Sequence, residues 1–344
     1  MTTTSSLARA SRLPRDLALV TVAVDAALVM FNLALQLWPD TPEAAQMRSA
    51  YAMPRVWIFI ASGIGMAWVL AATLAWSHGR QALERRGAGS VALLPGPRVR
   101  YGAVYLVVLV LNFYALGPLL FELQLLFMPG GQLQEYVAAP GMRVVMAVST
   151  LTQAVVQLAV LVLGVWLAAW VALRPGSDGT ALAAPLDEER AETEAGASPR
   201  RAVALVGAAV FASLQVWSTT VVSHWTDAVR LMDSAALLLG WIVLPLVVFA
   251  LAFWGGWLGA GPGLAQVRPF RAVAASVWAF VQVQAICIVT GIAWLMLAIR
   301  FSSILGSVGG LIVFVAAFVL LYMTLTVLLM RTTTRRKYRG GSYL

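Results

Sequence analysis

The sequence predicts an all-α polytopic membrane protein with eight transmembrane helices. Three observations carry that reading. Hydrophobic residues make up 60% of the chain and charged residues only 11%, with a mean hydropathy of +0.83. A soluble domain carries about a quarter charged residues. Apolar runs of twenty or more residues recur, each long enough to cross a hydrocarbon layer about 30 Å thick. Proline punctuates them: Pro14, Pro54, Pro97 and Pro269 stand at or just before run starts, and Pro39, Pro129 and Pro175 follow run ends.

The first span covers 16–38 and contains LVTVAVDAALVMFNLALQLW. Arg9, Arg12 and Arg15 precede it, as in a signal peptide. Its apolar stretch is too long for that, however, and Leu-Trp-Pro follows instead of a small-residue cleavage site, so it reads as an uncleaved anchor. The remaining spans read 54–77, 100–127, 142–173, 201–224, 233–259, 270–299 and 303–331. This divides the chain into a flexible leader (1–15), a four-helix half (16–173), a linker (174–200), a second four-helix half (201–331) and a basic tail (332–344). The linker holds Asp187, Glu188, Glu189, Glu192 and Glu194 among Ala, Gly, Ser and Pro, the composition of a disordered segment. A plain eight-helix bundle is the default expectation. A parallel 4+4 pseudo-repeat about the linker is the alternative.

Basic residues set the expected direction. With the N-terminus in the cytoplasm, the inner segments hold Arg9, Arg12 and Arg15; Arg80, Arg85, Arg86, Arg98 and Arg100; Arg174, Arg190, Arg200 and Arg201; Arg268 and Arg271; and Arg331, Arg335, Arg336, Lys337 and Arg339. Arg48, Arg55, Arg143, Arg230 and Arg300 are left outside. Nineteen against five is the bias of cytoplasmic loops, and it places both termini inside. Trp38, Trp57, Trp225 and Trp294 near outer ends, and Trp76, Trp166, Trp170, Trp254, Trp257 and Trp278 near inner ends, read as interfacial belts. The net charge of +9 is thus dispersed over loops, which argues against nucleic acid and for contact with the lipid bilayer. A bacterial inner membrane is the expected location.

Polar residues inside the spans are the functional candidates. On a helical wheel Thr21, Asp25, Asn32 and Gln36 fall within about 60° of one another. An ionisable group at that depth faces other helices or a wet cavity, not lipid. Span four repeats the pattern with Ser149, Gln153 and Gln157, and span five with Ser213, Thr220 and His224. Such stripes either line a path for substrate or protons or join helices by hydrogen bonds. Glu122, Arg143 and Arg300 fall at similar outer heights, the makings of an ion pair. Pro118 and Pro245 lie inside spans and are expected to kink them. Gly255 and Gly259 form a GxxxG, and Gly65 reads as a similar close contact.

Catalytic and cofactor motifs are missing. There is no P-loop, HExxH or nucleophile elbow, and no lysine lies in a span. The single Cys287 permits neither an intramolecular disulfide nor a thiolate cluster. His78 and His224 are expected at opposite membrane faces, so they cannot share a metal or haem. The expectation is therefore a protein without catalytic activity, metal or cofactor. The leading function is a permease-like transporter for a small or lipid-like substrate, proton-coupled through Asp25. The alternative is a non-catalytic subunit or assembly partner of a larger membrane complex.

Overall fold

A computed structural model describes residues 11–128, 130–133, 141–174, 199–226, 232–261, 264, 266–300 and 308–339. The expected leader (in part), the acidic linker and the end of the tail lie outside these residues. The elements are α1 (Leu13–Leu37), α2 (Pro42–Tyr51), α3 (Pro54–Ala92), α4 (Pro97–Leu111), α5 (Gly117–Leu125), α6 (Gly141–Ala172), α7 (Pro199–Thr226), α8 (Ser234–Leu238), α9 (Leu244–Ala260), α10 (Pro269–Arg300) and α11 (Val308–Arg339). No strand occurs among the described residues. Eight segments are long and apolar enough to cross a bilayer, as the sequence predicts: 13–37, 54–87, 97–125, 141–172, 199–223, 234–260, 269–300 and 312–338. The chain is a multi-pass membrane protein.

Two spans are composite. Between α4 and α5 lies a π turn, Asn112–Leu116, and between α8 and α9 another, Leu239–Val243. In each, an N–H reaches five residues back: Gly117 to the Asn112 carbonyl, and Leu244 to the Leu239 carbonyl. Each turn ends two residues before a proline, Pro118 or Pro245. Proline has no N–H to offer the carbonyl one turn upstream, and a π turn loosens the ladder where that bond is lost. The expected kinks thus appear as π turns.

Helix ends extend past the expected limits. α3 continues beyond residue 77 to Gly87, where φ is +73° and the helical path breaks; a further turn completes it. Glycine tolerates that left-handed backbone at little cost. α11 runs through Arg339, so the first eight residues of the expected tail are helical. The short connection after span one holds a further helix, α2. In α2, Thr41 caps the N-terminus by accepting from the Ala44 N–H at 3.2 Å. Arg48 from the same helix donates to the carbonyls of Leu37 (2.8 Å) and Pro39 (3.2 Å), fastening α2 under the end of α1.

The chain separates into two compact units. The first comprises Met1–Ala197 and Gln215–Pro245. Within it α1 packs on α3 and α4, and α6 packs on α3 and α4. Most buried side chains of its four long helices α1, α3, α4 and α6 gather at one end, from Leu13 to Leu28 on α1, Leu70 to Ala82 on α3, Tyr101 to Leu109 on α4 and Leu161 to Leu173 across the end of α6. Small residues permit this approach. A Cβ on Gly164 would stand 2.6 Å from a Val108 methyl, and one on Gly79 2.9 Å from the Pro14 Cα. Gly65 departs from expectation: nothing lies within 4 Å of where its Cβ would be.

The second unit comprises Ser198–Leu214 and Leu246–Leu344. At its centre the stretch AVALVGAAVFASL of α7 is buried on nearly every side, as befits a helix apolar all round. Ser276 of α10 donates to the Gly207 carbonyl at 2.7 Å, and Phe211 meets Phe280 edge-on at 5.3 Å. The predicted GxxxG is a contact with α11. A Cβ on Gly255 would lie 2.6 Å from the Val327 carbonyl oxygen, and one on Gly259 2.5 Å from that of Arg331.

Candidate functional site

The polar stripe of span one is paired along most of its length with span three. α1 and α4 run in the same direction, so residues of one meet residues of the other in constant register. The Thr21 and Tyr101 hydroxyls are 2.8 Å apart, and the Tyr105 hydroxyl donates to Asp25 Oδ2 at 3.0 Å; both pairs lie 80 positions apart in sequence. Further along, Tyr114 donates to Asn32 Oδ1 at 2.8 Å, now 82 positions away. Tyr114 itself lies within the π turn at 112–116, whose wider path shifts the register after Tyr105. At the other end Arg98 forms an ion pair with Asp16. From Asp16 to Asn32 the ladder rises about 24 Å, most of a hydrocarbon layer.

Each rung has local support. Thr21 also donates to the Leu17 carbonyl at 2.8 Å, and Asn32 to that of Leu28 at 3.0 Å, so both side chains are anchored on their own helix. Tyr101 and Tyr105 sit one turn apart and stack nearly parallel, centroids 5.9 Å apart. Both rings are fully buried, and Asp25 is 8% exposed. The Asp25 carboxyl is therefore held by a tyrosine hydroxyl.

A second polar group lies at the packed end of the first unit. Arg80 is 6% exposed, pairs with Glu84 at 2.9 Å and has its guanidinium 5.8 Å from the Trp76 ring centre. Ser77 and His78 beside it are buried. Arg86 donates to the Leu173 carbonyl at the end of α6, and Arg174 lies 3.9 Å above the Trp170 ring. These basic residues read from sequence as the exit from the membrane. Arg86 binds a helix end, and Arg80 and Arg174 lie against aromatic faces.

The remaining candidates are dispersed. Gln36 is exposed and Ser149 and Gln157 half-buried. Gln153 is exposed and its amide nitrogen lies 3.4 Å from Gln124 Oε1. Gln124 in turn reaches Met146 Sδ at 3.4 Å. Thr220 donates to the Val216 carbonyl of its own helix at 3.0 Å. The His224 side chain lies outside those described. Glu122, Arg143 and Arg300 are exposed. The ion pairs found among the described residues are Arg48–Asp40, Arg80–Glu84 and Arg98–Asp16, and Glu122 belongs to none.

The missed members of the site are tyrosines. Their hydroxyls ride on large apolar rings, so a search for Asp, Asn, Gln, Ser and Thr passes over them. The available signal was Tyr101 and Tyr105 at i, i+4 on a helix facing a polar stripe. Chemically the ladder offers hydrogen bonds and one buried carboxyl, with no nucleophile–base pair. Comparison with protein-family models, with curated proteins and with solved structures finds no match to this chain.

Proposed function

We propose that this chain is a non-catalytic membrane subunit that assembles with other membrane helices. The observation that carries the reading is where its polar groups are spent and where they are left over. The buried part of the span-one stripe is consumed within the helix pair α1–α4, as hydrogen-bonding glue is. Gln153, by contrast, stands exposed about five ångströms of helix rise from the middle of α6, and its long 3.4 Å bond to Gln124 engages only one end of its amide. An amide presented to hydrocarbon is costly, and a partner helix removes that cost. On the charge distribution, the packed end of the first unit faces the cytoplasm with both termini. The location that follows is a bacterial inner membrane.

The test is an intact-complex mass after mild-detergent purification from the native host, with a photo-crosslinker placed at Gln153. The expected result is one defined additional chain, crosslinked from 153 and not from the exposed Leu163 on the same helix. A lone monomer or homo-oligomer, crosslinked only to lipid, overturns the proposal.

The second reading is a proton-coupled permease for a small or lipid-like substrate. It is favoured by one observation: the Asp25 carboxyl sits buried against a tyrosine hydroxyl, beside a second tyrosine and a threonine. Asp25→Asn keeps the shape and removes the titration. In proteoliposomes the substituted protein loses the pH dependence of uptake under this reading. Unchanged pH dependence removes Asp25 from the coupling.

A further inference from the structure

The second unit has a charge peculiarity. It contains ten Lys and Arg residues and not one Asp or Glu; all 15 carboxylate side chains of the protein belong to the first unit. Its cations therefore find no side-chain counter-charge within the unit. Three of them converge. At the start of α10 and the last turns of α11, Phe270, Arg271, Ala274, Arg336 and Lys337 line an open cavity of about 410 Å³. Arg271, Arg336 and Lys337 form no ion pair among the described residues. The walls are tied: Tyr338 of α11 donates to the Arg268 carbonyl just before α10 at 2.8 Å. The cavity sits where two long apolar spans end, and Phe270 presents an exposed ring beside the cations.

We propose that this cavity binds the phosphate of an anionic phospholipid. Arg271 and Arg336 offer forked donors that match phosphate oxygens, and Lys337 adds a point charge. Phe270 lies against the glycerol and upper acyl region, as aromatic rings do at membrane interfaces. Basic pockets between spans are suited to such head groups. A lipid is favoured over soluble phosphate because the cavity lies at the end of two apolar spans, where lipid phosphates are concentrated. The site depends on the second unit alone and stands whichever function the first unit serves.

The test uses native mass spectrometry of the full chain equilibrated with equimolar phosphatidylglycerol and phosphatidylcholine. Retained lipid is expected to be predominantly phosphatidylglycerol. Arg271→Gln/Arg336→Gln/Lys337→Gln is expected to lower that retention, by roughly fivefold per charge removed. The charge-matched control Arg12→Gln/Arg15→Gln/Arg85→Gln, all exposed positions of the first unit, is expected to leave it within twofold. Equal loss in the two triple variants reduces the effect to general positive charge and overturns the proposal. So does displacement of the lipid by millimolar inorganic phosphate, which marks a soluble-anion site. A wild-type chain without lipid preference, as when its own acidic run 187–194 fills the cavity, overturns it also. Should the triple variant fail to fold by circular dichroism, Arg336→Gln/Lys337→Gln, both exposed, carries the same comparison.

Discussion

Asp25 meets a phenol where an arginine would have given a full ion pair. A neutral donor in a helix interface contributes modestly, because the separated helices in lipid find other partners for the same groups. Tyr105→Phe is therefore expected to lower stability by about 1 kcal/mol or less, read as a small fall in the unfolding midpoint in mild detergent. The Thr21–Tyr101 rung can be measured more cleanly. A double-mutant cycle of Thr21→Val and Tyr101→Phe should give a coupling of about 0.6 kcal/mol. A coupling near zero would show that the 2.8 Å contact adds nothing to the fold. One side of the ladder was legible because Thr21, Asp25 and Asn32 are conspicuous on an apolar helix. The other side was not, because tyrosine in a span is indistinguishable by composition from a packing or belt aromatic. Gln36, at the right helical angle, lies past the reach of the pairing and is exposed.

At the scale of elements, glycines of identical composition do opposite things. In the second unit α9 crosses α11 with backbone against backbone at Gly255 and Gly259. Gly259→Ala should cost about 1–3 kcal/mol, since a methyl placed 2.5 Å from a carbonyl oxygen forces the helices apart. In the first unit Gly63 and Gly65 have nothing near, and each mid-helix glycine weakens α3. Gly63→Ala is expected to stabilise by up to about 1 kcal/mol, the gain of replacing glycine in a helix. Thermal unfolding of the two variants side by side checks both signs. Sequence spacing identified the GxxxG contact but could not separate it from Gly65, because a small residue permits close approach without compelling it. The same limit explains α2. Its composition is loop-like, and only Thr41 followed by Pro42 signalled a helix start.

For the whole molecule, the number of spans was legible because length and apolarity are set by the bilayer itself. The proposed direction rests on a charge bias, and two of the arginines that depart from it have local uses. Arg48 caps α1 and α2 is fastened by it, and Arg55 reaches the Met232 carbonyl at 3.4 Å. With Cys287 replaced, a cysteine at Gln46 of α2 should react with a membrane-impermeant maleimide in intact cells, and one at Thr332 of α11 should not. The reverse pattern would invert the topology. The compact units have bounds unlike the two four-helix halves read about the linker, since they arise from which helices pack on which.

That division separates the protein's acid–base chemistry as well. Every carboxylate side chain and both histidines belong to the first unit; the second holds none. Side chains of arginine, lysine and tyrosine do not ordinarily change charge between about pH 5 and 8, and the one thiol of the unit, Cys287, is buried and of a type that ordinarily titrates above that range. The second unit is thus electrically constant over the range a cell experiences, and its affinity for an anion should be flat with pH. Any property of the protein that varies across that range reports on the first unit, so a plain titration locates the responsive half before a single residue is changed.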